Sequence, residues 1–105
     1  MRLLALCCLA GVWLGCLVTV TSAAPLTGAL AFRRYCSECH PDGGNVVTPA
    51  KNLRVLTLHA NGLVAPRDLV AKMRNPGPGM VRLDAKELPD DIAYAIAEYI
   101  LTTFK

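Results

Sequence analysis

After an almost unbroken apolar opening from Leu3 to Val18, the chain settles into short amphipathic stretches separated by proline and glycine. Thr27 is placed to cap a first helix through Gly28, Leu30, Phe32 and Tyr35. Gly28 and Phe32 stand four apart and share a face. A glycine inside a helix costs about 1 kcal/mol relative to alanine, so Gly28 predicts close approach by another helix. Pro41-Asp42-Gly43-Gly44-Asn45 reads as a turn-rich loop, and Pro49 continues that irregular character. Leu53 to Ala60 alternates weakly; a short helix ending at Asn61-Gly62 is preferred to a strand. Pro66 opens a further helix, with Asp68 in its first turn and Leu69, Val70 and Met73 as its buried face. Asn75-Pro76-Gly77-Pro78-Gly79 cannot continue it and forms a loop that delivers Met80. The last helix starts at Pro89 and repeats Ile92, Ile96, Tyr99 and Ile100 at helical spacing, closed by Lys105. Nothing repeats internally and no strand pairing is convincing, so the expected fold is all-α, with about four short helices.

The apolar opening changes the domain count. Met1-Arg2, a greasy run and the small residues Thr21-Ser22-Ala23-Ala24 describe a secretory signal peptide over residues 1–23, cleaved after Ala23. The run is longer than the roughly 7–15 apolar residues usual in such a leader, so an uncleaved membrane anchor is the alternative. A third reading is a lipoprotein attached through Cys16, although Trp13 fits that pattern poorly. All three export the remaining domain, residues 24–105; a periplasmic location is preferred. The net charge of +3 is small and no basic run occurs, which does not favour nucleic acid.

The chemistry sits in Cys36-Ser37-Glu38-Cys39-His40. C-x-x-C-H is the attachment signature of c-type haem. Two thiols about one turn apart can each add to a vinyl group of the same porphyrin. The histidine that follows can then ligate the iron from below. A thiol redox site would ask for a βαβ pattern, which is absent from the sequence. Zinc would ask for four ligands, and His59 is the only other histidine. Of the five cysteines, Cys7, Cys8 and Cys16 fall in the leader, which leaves Cys36 and Cys39 for one covalently attached haem c. A domain this short buries a modest core, and a covalently held apolar macrocycle completes it.

His40 leaves the sixth position of the iron to fill. Met80, on a stiff Pro/Gly loop, is the expected ligand, ahead of Met73, which falls on a buried helix face, and ahead of His59 or an open site. His/Met ligation raises the reduction potential relative to bis-histidine and leaves no position for substrate. That argues for electron transfer rather than enzymatic chemistry. A haem-based sensor or peroxidase-like protein with a labile sixth ligand is the alternative, and a thiol oxidoreductase a more distant one.

Together the haem motif, the loop methionine and the terminal helices resemble the class I c-type cytochromes, in particular the small single-haem proteins of photosynthetic electron transport and their bacterial relatives. The resemblance covers essentially all of residues 24–105. Gly28 and Phe32 are similar to that family's first-helix pair, and Tyr99 to the last-helix aromatic that packs across it. Gly43-Gly44-Asn45 and Asn75 with Gly79-Met80 are similar to its two loops. Val81 stands where those relatives often have proline, and Pro76 and Pro78 are additional. The resemblance implies a cytochrome c-like fold wrapped around one covalent haem, and a monomeric one-electron shuttle, soluble or tethered. Its partners would be redox proteins, as donor and acceptor, meeting an exposed haem edge. Arg33, Lys51, Lys72, Arg74 and Arg82 are candidates for the docking rim.

Overall fold

In a computed structural model, the structure describes residues 19–20 and 26–105. The expected signal peptide over 1–23 (apart from residues 19–20), its cleavage site and the Cys16 attachment lie outside these residues. Four helices follow in order: α1 (Gly28–Tyr35), α2 (Val55–Ala60), α3 (Pro66–Arg74) and α4 (Asp90–Thr103), with single 3₁₀ turns at Pro41–Gly43 and Pro49–Lys51. No strand occurs among the described residues. No helix among them is long and apolar enough to cross a membrane.

At the starts of α1 and α3 a side chain satisfies free backbone donors, whereas α2 and α4 begin without a side-chain cap. Thr27 Oγ1 accepts from Leu30 N at 3.3 Å and starts α1. The helix in the Leu53–Ala60 stretch starts two residues later than its pattern, at Val55, because Arg54 is still extended. Proline occupies the first position of α3, where its missing N–H does no harm. Two residues on, Asp68 Oδ2 accepts from Ala65 N at 2.8 Å and Val64 N at 3.1 Å. The Ala65 bond is the larger cause, and the Val64 bond the next, of a carboxyl held below its ordinary value of 3.8. A carboxylate depressed in the fold contributes stability that is complete above pH 3.8 and disappears as pH falls through its folded value. Asp68→Asn should therefore lower the melting temperature at neutral pH. The gap from the parent should close during an acid titration below 3.8.

The core is built by α4 lying across both α1 and α3. Ala31 and Phe32 of α1, Leu69, Val70 and Met73 of α3, and Ala93, Ile96, Ala97 and Ile100 of α4 are buried together, with Leu58 and Leu88. The face of α4 toward the core is thus richer in alanine than its isoleucine spacing alone indicates, and Ile92 is only partly buried. Small residues let the helices approach closely. A Cβ added at Gly28 would run into the carbonyl oxygen of Ala95 and stand 3.0 Å from Tyr99 Cβ. The glycine exists for this crossing. Gly28→Ala should cost about 1–3 kcal/mol, because the obstacle is backbone and overpacking outweighs the gain in helix propensity. Thermal unfolding of the haem-loaded protein measures it.

Beside the crossing three rings meet. Phe32 lies 5.4 Å from Tyr99 and 5.3 Å from Phe104, centroid to centroid, and Tyr99 is edge-on to Phe104 at 5.8 Å. Phe104 is where α4 ends, one residue before Lys105, whose Nζ donates back to Leu101 O at 3.3 Å. Phe104 O also accepts from Val55 N at 2.8 Å and ties the end of α4 to the start of α2.

Candidate functional site

α1 runs directly into the thiol pair. Cys36 N donates to Phe32 O at 2.8 Å as the helix closes. Cys36 O then accepts from Cys39 N at 3.2 Å and from His40 N at 2.9 Å. This turn brings Cys36, Cys39 and His40 to the wall of one cavity. Cys36 and Cys39 are not joined to each other by a disulfide. Burial, and secondarily the neighbouring Cys39, pushes the Cys36 thiol up to about 11. A redox-active C-x-x-C needs a thiol whose pKa is lowered, and Cys36 is shifted the other way. No cluster of three or more His, Cys, Asp or Glu ligands exists among the described residues, so zinc has no donor set either.

His40 is fixed by the loop that follows. Its Nδ1 lies 2.7 Å from Gly44 O. A carbonyl can only accept, so Nδ1 carries the proton and Nε2 keeps its lone pair for a metal. The loop has to turn tightly to bring that carbonyl back. Asp42 and Gly43 both adopt positive φ, 52° and 79°. A Cβ at Gly43 would also stand 2.6 Å from the Phe104 ring. Asn45 stiffens the next turn, its Oδ1 accepting from Val47 N at 3.0 Å and Thr48 N at 2.8 Å while Nδ2 donates to Lys51 O at 2.9 Å. Gly44 and Phe104 shape the surroundings of His40, and neither is marked as such by the sequence. A backbone carbonyl leaves no residue-type signal.

The cavity is about 470 Å³, within the roughly 300–1,000 Å³ of cofactor sites. Leu58, Leu69, Met73, Leu83 and Ile100 give it an apolar lining, and Gly77 to Val81 form part of its wall. Met80 belongs to that wall while remaining 37% exposed. Met73 also reaches the cavity, but as a core residue only 4% exposed on α3. His59 is exposed on α2 and does not line it. Two thiols, an imidazole with a free Nε2, a thioether and an apolar slot fit a covalently held haem. They do not resemble the closed polar shell of a bare ion.

The proposed rim separates into two groups. Lys51 and Lys72 are exposed and border the cavity. Arg33 lines a different, smaller recess with Ser37 and Asp42, and Arg82 stands beside Asp84. Arg74 is a correction: its side chain is only 22% exposed and is held in an ion pair with Asp90 at 2.6 Å. A side chain committed in this way is not available to a docking partner.

No family model matches the chain. Individual proteins do. Cytochrome c6 of Leptolyngbya boryana is 34% identical over 74 residues, covering 70% of this chain and 86% of that protein. Cytochrome c6 of Rippkaea orientalis is 29% identical over 103 residues, covering 92% of this chain and 93% of that one. Among solved structures, the outer membrane cytochrome OmcF of Geobacter sulfurreducens superposes with a TM-score of 0.73 at 41% identity, over 74% of this chain and 99% of its own.

Proposed function

Because the chain belongs to the small class I c-type cytochromes, electron carriers rather than enzymes that hold haem c covalently, we propose that it is an exported one-electron shuttle with His40/Met80 axial ligation. Cys36 and Cys39 would form the thioethers. The observation that carries the reading is the shared cavity, whose wall includes both thiols, His40 and the Met80 loop. The bound haem supplies a ferric/ferrous couple.

The residues around it set how that couple behaves. The Gly44 carbonyl holds the His40 ring in one tautomer and orientation, with Nε2 left to ligate. Met80 offers a soft thioether, which raises the potential relative to a second imidazole. The apolar wall from Leu58, Leu69 and Ile100 limits water and so resists change in solvation when charge changes. Lys51 and Lys72 present positive charge at the border of the cavity and favour acidic redox partners. Such docking is brief, small in area and weakened by salt.

Residues 1–23 act in this reading as a signal peptide, or alternatively as a membrane anchor or a lipoprotein leader through Cys16. Residues 24–105 form a monomeric, periplasmic domain. Purified haem-loaded protein should titrate as a single reversible one-electron wave, and its reduced spectrum should not respond to carbon monoxide. A reduced spectrum that shifts readily with carbon monoxide would support the sensor or peroxidase-like alternative instead.

A further inference from the structure

We propose that Arg74 is a positioning residue for the sixth ligand, because its guanidinium clasps the base of the Met80 loop to the start of α4. The loop runs from Asn75 to Arg82 and has few attachments of its own. Inside it Met80 N donates to Gly77 O at 3.5 Å, at the outer limit of a hydrogen bond. Pro76 and Pro78 fix two φ angles and make the loop stiff, so it moves as a unit about its two ends.

The front end is secured by α3 itself, where Asn75 N donates to Ala71 O at 2.9 Å. The back end is Leu83, and Arg74 controls it. Leu83 N donates to Met73 O at 3.0 Å. Arg74 Nη1 donates to Leu83 O at 2.8 Å. Arg74 Nη2 reaches Asp90 Oδ1 at 2.6 Å. One planar group therefore joins the last turn of α3, the end of the loop and the first turn of α4.

An ion pair to a carboxylate as exposed as Asp90 (72%) contributes little by itself. The charge-assisted bond to the Leu83 carbonyl is stronger, and Asp90 aims the fork that makes it. Asp90 is itself favoured at the N-terminus of α4 by the helix dipole. Without the clasp Leu83 keeps its single bond to Met73, and the stiff loop can swing away from the cavity wall.

The inference rests on Met80 being the sixth ligand, and the experiment separates the two. Oxidised, haem-loaded protein, as isolated after export, is mixed with saturating cyanide, so that entry of cyanide is limited by departure of Met80. Arg74→Leu should accelerate the reaction at least about tenfold. Arg74→Lys should accelerate it comparably, because one ammonium cannot hold Leu83 O and Asp90 Oδ1 together. Gly28→Ala weakens the fold at a crossing away from the loop and should leave the rate within about twofold.

Wild-type rates in both Arg74 variants would overturn the clasp. So would a wild-type rate in Arg74→Lys alone, or an equal acceleration in Gly28→Ala. If Arg74→Leu does not fold, Asp90→Asn replaces it and should show a smaller acceleration, with no change counting against the clasp. Met80→Ala is run alongside. Survival of the far-red band of the oxidised protein in that variant would remove the ligand assignment and the clasp with it. Loss of the band with unchanged Arg74 variants would remove the clasp alone.

Discussion

Serine at both Cys36 and Cys39 should yield a chain that carries no covalent haem and is largely unfolded. The domain encloses a cavity of about 470 Å³ between its helices. Without the haem its apolar walls have no partner to pack against, and a domain this short has little other core to offset the loss. The apolar wall made by Leu58, Leu69, Met73, Leu83 and Ile100 would collapse or become wet. Far-UV circular dichroism of the double variant should show most of the helix signal lost. A single serine should be milder, because the remaining thioether still delivers the group to the cavity. Native helicity in the double variant would mean that α1, α3 and α4 suffice as a core.

Met80→Ala should abolish the far-red band of the oxidised protein and open the reduced form to carbon monoxide. It should also lower the reduction potential by more than about 60 mV, the equivalent of one tenfold preference for ferrous iron. Folding should survive, since Met80 sits on an exposed loop and not in the buried cluster. Met73→Leu is the matched comparison. Met73 is buried on α3, so its replacement should disturb packing without removing the band. If Met73→Leu removed the band and Met80→Ala did not, the two methionines would exchange roles.

The parts of this molecule legible in the sequence are those written locally. Cys36, Cys39 and His40 are consecutive enough for spacing alone to carry their chemistry. Thr27, Pro66 and Asp68 act on backbone within a few residues, and each stands where a helix start requires it. Gly28 was readable because a glycine in a helix has a cost that demands a neighbour, and α4 is that neighbour.

What the sequence hid depends on contacts between distant segments. Arg74 resembles any other exposed cation until Asp90, sixteen residues later, takes its second nitrogen. Periodicity marks the buried face of α3 but does not say which way the following loop returns, and that return decides whether Arg74 meets a partner or a carbonyl. For the same reason Lys72 borders the cavity while Arg33 faces another recess. Phe104 carries no local signal of its role. Its packing under Gly43 needs the whole chain to be closed first.

The most direct test of the central claim is an intact-chain mass and visible spectrum taken together, on protein from a host that attaches c-type haem, after extraction with acidified organic solvent. One haem per chain should stay with the polypeptide through extraction, with a sharp reduced α-band and a far-red band on oxidation. Haem that leaves with the solvent, or a chain with no Soret absorption at all, would contradict it.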